Sequence, residues 1–391
     1  MSKIACFFNG PYLGGAERSF ALQIKILKEL DPNLSIDVVI PYLEHKDEAQ
    51  DILSFLKENN FSQDNCSYFP YDKSLFGVSR THGVFKILLA LMGLLKTIKS
   101  LYRYQLGFHS KWWVNGNKIG FVCFFYALLT FFKGGFLWHF RDYPATSKKW
   151  RLVWFLLNIP RPFSLHLIAN SNDVAQSLRE LNIRNAKISV IYNPVSSLPF
   201  KALTARARDN FNIGVVAMSA PWKGLHDVIL FSSLYEKELK EIGISQISFY
   251  GGPIYKTSGE HDGYYEQLKS LTKKLNNPFI YFAGLAPPVE IFGDIDVLIH
   301  SSIRAEPFGR VIVEAFASGV PVITTGLGGA GELVSHGITG NIYNKMLPDS
   351  LLEAITLSLS EKSDETIRAG YFFFEELSHQ TRVQIQGVFI P

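Results

Sequence analysis

The chain has 391 residues, 47% of them hydrophobic and 14% aromatic, and a formal net charge of +4. That length exceeds one ordinary core and points to two domains of roughly 150–200 residues each, while the composition excludes global disorder. Three widely spaced cysteines, Cys6, Cys66 and Cys123, are too few for a disulfide framework or a zinc cluster and fit a reducing compartment.

The first ten residues, MSKIACFFNG, lack the apolar length of a signal peptide, and Ile4–Phe8 reads as a strand. Further short apolar runs follow at Ile36–Ile40, Cys66–Phe69, Trp112–Val114, Phe136–Trp138, Leu165–Ala169 and Ile188–Ile191. Helical patterns such as Ala16–Leu30 and Val84–Tyr102 lie between them. This is the βα rhythm of a parallel sheet covered on both faces. Asn193-Pro194 ends the series, and residues 195–209, polar and without a period, read as the linker. The rhythm restarts with strands at Phe211–Met218, Ile247–Tyr250, Phe279–Phe282, Val297–His300, Val320–Ile323 and Asn341–Tyr343. Helices at Leu225–Lys240, Tyr264–Leu275 and Val311–Ala317 separate several of them, and the tail from Asp364 is helical in pattern. The organisation expected is α/β, with a Rossmann-like, doubly wound parallel-sheet domain over 1–195, a second over 210–363 and a terminal helix over 364–391.

Charge divides the two halves. Residues 1–195 hold 23 Lys/Arg and 14 Asp/Glu, residues 196–391 hold 16 and 21, and no acidic residue lies between Asp72 and Asp142. That acid-free stretch, with Lys86, Lys96, Lys99 and Arg103, suits an anionic membrane surface or an anionic substrate, or is a crossover helix with solvated lysines. No stretch reaches ~18 uncharged apolar residues, so no spanning helix is expected. Nucleic acid is not an expected partner, because no Lys/Arg run with interleaved aromatics and no reading module is present.

Ligands of open parallel sheets bind where strands end at their carboxyl side, so the loops after strands carry the chemistry. After VLIH comes SSIRAEPFGRVIVE, residues 301–314. Pro307 and Gly309 shape a turn, a helix starts near Arg310, and the unbonded N–H groups of its first turn form an anion site. Glu306 and Glu314 flank that turn. They are placed either to accept bonds from sugar hydroxyls beside a phosphate, or simply as acids favoured near a helix N-terminus. SAPWKG, after IGVVAM, offers Lys223 beside a glycine at a helix start, a possible phosphate contact or a solvated lysine. Gly14-Gly15, after the first strand, permits close backbone approach but is not a dinucleotide fingerprint. His139, Arg141 and Asp142 cluster where FLWHF ends, with His139 either a ligand or a satisfied structural histidine. Asp294 and Asp296 imitate a metal-binding pair yet precede their strand, on the amino side, so no metal is expected there. No Walker loop, nucleophile elbow or HExxH occurs.

At these residues the sequence resembles glycosyltransferase family four, the glycosyl transferases group 1 family, of GT-B fold. EPFGRVIVEAFASGVPVITTGLGGAGELVSHGITG is similar to that family's Glu-x7-Glu segment and the glycine-rich stretch after it, and PWKG, GGAER and VIYNPV resemble its lysine loop, N-terminal glycine loop and domain boundary. LSHQTRVQIQGVF resembles its final helix. The resemblance implies two domains facing a central cleft and a retaining, metal-independent transfer of a hexose-type sugar from a nucleoside-diphosphate sugar, which is a substrate and not a cofactor. It implies that Glu306 contacts the donor sugar and Glu314 the ribose. Lys223 binds the diphosphate beside the amides of Phe308 and Gly309, with Arg310 near. Gly14 and Gly15 face the diphosphate and acceptor, and His139 lies by the donor sugar with Arg141 and Asp142 beside it. His139, Glu306 and Lys223 are thus the expected catalytic residues. The leaving phosphate oxygen is the expected proton acceptor. A departure is Met218, which stands where many members carry an arginine. The expected acceptor is a glycan or lipid-linked molecule in cell-surface polysaccharide synthesis, with the protein cytoplasmic or peripheral on the inner face of the membrane. Rival readings are another GT-B nucleotide-sugar enzyme, an epimerase or hydrolase, and a catalytically idle nucleotide-sugar-binding protein.

Overall fold

A computed structural model of the chain describes residues 3–72, 84–102, 109–145, 154–200, 210–252, 262–360 and 363–390. Seven strands, β1 (Lys3–Phe7), β2 (Ser35–Tyr42), β3 (Cys66–Pro70), β4 (Lys111–Asn115), β5 (Gly135–Phe140), β6 (Ser164–Ala169) and β7 (Ala186–Val190), form one sheet in the order β3-β2-β1-β4-β5-β6-β7. All its pairings are parallel. Side chains alternate across it. Ala5, Phe7, Val39, Trp112, Val114, Phe136 and Trp138 are buried on one face, and Ile4, Cys6, Val38, Trp113, Leu137 and Ile168 on the other. Burial on both faces is why these strands read as continuous apolar runs rather than as alternating ones. On the first face Trp112 stacks on Phe132, centroids 4.2 Å apart and planes at 21°.

A second sheet holds β8 (Phe211–Val216), β9 (Ile244–Tyr250), β10 (Ile280–Gly284), β11 (Val297–His300), β12 (Val322–Thr324) and β13 (Asn341–Ile342), in the order β10-β9-β8-β11-β12-β13, again all parallel. In both sheets the order reverses next to the first strand, between β1 and β4 and between β8 and β11. The loops leaving those strands turn to opposite faces and open a crevice at the carboxyl ends.

Two compact units result, Met1–Pro194 with His379–Pro391, and Val195–Ser378. The helix Ser363–Phe389 therefore belongs to both. Its last turns put Ile385 and Phe389 into the core of the first unit, where Phe389 lies 4.4 Å from Trp113 and accepts a bond from Lys111 Nζ at 2.9 Å. One expected element is corrected. The single helix Leu225–Lys240 is two, Leu225–Leu234 and Glu236–Glu241. Tyr235 leaves helical geometry between them, at φ −107° and ψ 33°, and its hydroxyl bonds the Asp349 carboxylate.

Candidate functional site

In the second unit, the loops leaving β8 and β11 meet at the point of reversal. Ser301 Oγ donates to the Lys223 carbonyl at 2.8 Å, and the Ile303 amide donates to the Trp222 carbonyl at 2.9 Å. Gly224 makes this approach possible. It sits at φ +70°, and a Cβ there would lie 2.2 Å from the Ser301 carbonyl oxygen, so both the left-handed conformation and the space require glycine. Glu306 is held from its other side, its carbonyl accepting the Gly329 amide at 2.7 Å and its amide donating to Leu327 at 3.2 Å.

These clamps bring Glu306 Oε2 to within 2.7 Å of Lys223 Nζ, of His300 Nε2 and of Ser302 Oγ. The side chains of Lys223, Glu306 and His300 are only 10%, 15% and 3% exposed. His300 Nε2 faces an acceptor-only oxygen and so carries its hydrogen, while Nδ1 lies 3.0 Å from Thr324 Oγ1. Burial alone would raise the Glu306 pKa. His300 and Lys223 outweigh it and hold the carboxyl well below the usual carboxylate range. Lys223 and Glu306, both expected site residues, stand together. What was not expected is that they pair with each other, so that Glu306 offsets the lysine's charge. Lys223 also lies 4.2 Å from the Trp222 ring centroid.

The helix Arg310–Ser318 starts directly behind, capped by Gly309 at φ +95°, with Phe308 buried. Within its first turn the Ile312 amide donates to the Gly309 carbonyl at 3.0 Å, and the positive end of the helix follows directly on the loop that carries Glu306. Arg310 Nε donates to Glu314 Oε1 at 2.8 Å, one turn on, so these two predicted residues also pair. Met218 lies half-buried in the loop after β8. Asp294 and Asp296 are tied at the amino end of β11: Asp296 Oδ2 accepts the Asn212 amide at 2.9 Å, and Asp294 Oδ2 accepts Asn212 Nδ2 at 2.8 Å and the Tyr250 hydroxyl.

In the first unit, Gly14 caps the helix Gly15–Leu30, and the Glu17 carboxyl folds back over it. A Cβ on Gly14 would lie 2.9 Å from Glu17 Oε2. Arg141 is buried and ties three segments together. Its Nε donates to Asn115 Oδ1 at 2.6 Å, one terminal nitrogen to Gln23 Oε1 at 2.7 Å, the other to Asn193 Oδ1. His139 is fully buried and lies parallel to Trp113 with centroids 6.1 Å apart. Burial first, and Arg141 second, lower its pKa well below the ordinary value, so the ring is neutral. Asp142 is exposed. His300, Ser302 and Glu17 were missed in the sequence. The one signal for His300 was a polar residue ending the apolar strand VLIH. Of the acid-free stretch, the Lys86 side chain and Arg103 lie outside the described residues, while Lys96 and Lys99 are exposed. No described helix is long and apolar enough to cross a membrane.

The family model for glycosyl transferases group 1 matches residues 204–371. Among curated proteins, putative glycosyltransferase YtcC of Bacillus subtilis is 33% identical over 149 residues, 37% of this chain and 35% of that one. Capsular polysaccharide biosynthesis glycosyltransferase CapM of Staphylococcus aureus is 28% identical over 186 residues, 46% and 43% of the two chains. The match thus spans less than half the length of either relative. Among solved structures, Anabaena Alr3699/HepE in complex with UDP-glucose aligns over 99% of both chains with a TM-score of 0.74 at 19% identity. The likeness shows a shared GT-B fold.

Proposed function

We propose that this chain, whose residues 204–371 match the family model for glycosyl transferases group 1, is a glycosyltransferase. It moves a hexose-type sugar from a nucleoside-diphosphate donor to a glycan or lipid-linked acceptor, with retention of configuration and without a metal ion. One observation carries the reading: a buried lysine–carboxylate pair, Lys223 and Glu306, stands in front of a helix N-terminus at the carboxyl end of a parallel sheet. Departure of a nucleoside diphosphate places negative charge on a phosphate oxygen. The remaining Lys223 N–H groups and the positive end of the helix that starts at Arg310 are preorganised to stabilise it. Glu306 is placed to accept from a sugar hydroxyl, and Glu314 accepts from the ribose.

The acceptor's chemistry is read from the first unit. Exposed Met92, Leu95, Tyr102, Leu129, Phe131, Phe155 and Ile159 lie in or near the acid-free stretch, with exposed Lys96, Lys99 and Lys133. Apolar side chains interspersed with lysines suit a peripheral position on an anionic membrane, at its inner face, where lipid-linked glycans are built. Cell-surface polysaccharide synthesis accords with the name of one relative, CapM.

The test is a thermal-shift screen of UDP-, GDP- and ADP-sugars, followed by incubation of the binding donor with and without glycan acceptors in the presence of EDTA. A donor at ~100 times its dissociation constant adds roughly 2.7 kcal/mol. Acceptor-dependent product with unchanged anomeric configuration is expected. An altered sugar nucleotide without acceptor would make the protein an epimerase, free sugar a hydrolase, and binding without turnover a binding protein. Loss of activity to EDTA with rescue by Mn²⁺ would remove the metal-free mechanism.

A further inference from the structure

Three groups donate to Glu306 Oε2, and they differ in how firmly each is held. Lys223 ends a flexible stem on a loop, and it is also the cation assigned above to the departing phosphate. Ser302 lies in the loop after β11, its carbonyl accepting the Thr325 hydroxyl at 2.6 Å. His300 is the last residue of β11, a strand paired with β12 on one side and β8 on the other. Its ring has fewer torsions to fix than a lysine stem, and a strand fixes a side chain more precisely than a loop does. The His300 side chain is 3% exposed and that of Glu306 15%, so the carboxylate is reached from outside while its anchor is not.

The ring is held from behind. His300 and Thr324 are direct partners in the register of β11 and β12, so their side chains leave the same face of the sheet side by side. Nδ1 lies 3.0 Å from Thr324 Oγ1, and the Gly326 amide donates to that same oxygen at 3.1 Å. A hydroxyl both donates and accepts. Thr324 therefore satisfies Nδ1 whether or not that nitrogen carries a hydrogen, and Nε2 keeps its own hydrogen on Glu306 in either charge state of the ring. Burial acts to raise the Glu306 pKa, and His300 stands first, ahead of Lys223, among the groups that lower it.

We infer that His300 is a positioning residue of the transfer: its Nε2–H fixes Glu306 Oε2, and Thr324 fixes the ring, so that the carboxylate keeps its orientation toward the donor sugar while Lys223 engages the departing phosphate. This rests on the transferase reading above, and every residue in it belongs to the second unit. His300 touches no substrate and acts through Glu306. Without it, Oε2 is left to Ser302 and to a lysine drawn between two anions. A misplacement of about 1 Å in such a group costs on the order of 10² in rate.

A merely structural His300 would fill the strand end and satisfy Thr324. Asparagine and glutamine separate the two roles. The asparagine amide reaches as far as Nδ1, so it keeps Thr324 and falls short of Glu306. The glutamine amide reaches the place of Nε2 and keeps Glu306. The test measures Tm, kcat with whichever of the UDP-, GDP- and ADP-sugars the wild type turns over, and the Kd of the matching UDP, GDP or ADP. His300→Asn should lose about 10²-fold in kcat while its nucleoside-diphosphate Kd stays within about twofold of wild type, and His300→Gln should recover at least about tenfold of that loss. Thr324→Val should lower kcat in the wild-type background and not further in His300→Gln. Equal rates for the two His300 variants, or a faster His300→Asn, would overturn the assignment, as would a parallel loss of nucleoside-diphosphate affinity. If the His300 variants do not fold, Thr324→Val decides alone, and a wild-type kcat there would overturn it. Failure of the wild type to bind any of these sugar nucleotides or to form product would instead refute the transferase reading.

Discussion

Replacing Lys223 by methionine keeps the length of the side chain and removes its charge. Two charges 2.7 Å apart attract by about 6 kcal/mol at an effective dielectric of ~20, but most of that is cancelled by the cost of taking both out of water. Removing one partner of a buried pair exposes the cost borne by the other, typically ~3–5 kcal/mol. Here His300 and Ser302 still donate to Glu306 Oε2, which argues for the lower end, about 3 kcal/mol. In a domain of this size each kcal/mol moves Tm by about 2–4 °C, so Lys223→Met should melt roughly 6–12 °C lower. Glu306→Gln made in the same background should restore most of that loss, since no buried carboxylate then lacks its cation. On the proposed mechanism turnover should not return with it, because the Lys223 charge assigned to the leaving diphosphate, worth about 10² in rate, is still missing. The assay is a double-mutant cycle by thermal or urea unfolding beside single-turnover rates for all four proteins. Additivity of the two stability changes within ~0.5 kcal/mol would show the pair to be uncoupled. Recovery of turnover in the double variant would show that Lys223 serves Glu306 alone and not the donor.

Gly224→Ala meets the Ser301 carbonyl at 2.2 Å with φ at +70°, and should destabilise by about 2 kcal/mol or more and weaken donor binding; wild-type Tm and donor affinity would mean that the two loops part freely. Because the Glu17 carboxyl is raised from 4.5 to about 7 on folding, the folded state holds its proton more tightly. Its cost is absent below the unfolded value, grows as pH rises, and is complete above about 7, so Glu17→Gln should stabilise by about 3 kcal/mol at pH 8 and by little at pH 4.5. Equal effects at both pH values, read by urea unfolding, would refute a raised pKa. Phe131 is 75% exposed at φ +51°, where glycine is favoured, so Phe131→Gly should leave stability unchanged or higher while reducing co-sedimentation with anionic vesicles. Binding that is equal on neutral vesicles and insensitive to salt would count against docking.

Much of this architecture is written locally. Every strand expected from an apolar run is present, because parallel strands buried on both faces need uninterrupted apolar sequence, and side chains such as Ala5 and Phe7 against Ile4 and Cys6 fill opposite faces whatever lies further along the chain. The spacing of Glu306, Gly309 and Glu314 places a carboxylate on each side of a helix start, which is a property of one segment. The break at Tyr235 was hidden, since the helical pattern continues through it and only the docking of its hydroxyl on Asp349 reveals it. Pairings were hidden for the same reason. Lys223 and Glu306 are 83 residues apart, and nothing in either loop says that the reversal of strand order between β8 and β11 will press them together, or that His300 and Ser302 will converge on the same oxygen. Likewise Arg141 reads as a polar residue ending a strand, while its partners Gln23, Asn115 and Asn193 come from three separate elements. Sequence determines which segments are buried and which residues stand at strand ends, because those depend on local period and turn chemistry. Which of those residues share a charge or a proton is decided by tertiary structure, because Coulomb and hydrogen-bond energies depend on distances and burial that exist only after the sheets are assembled.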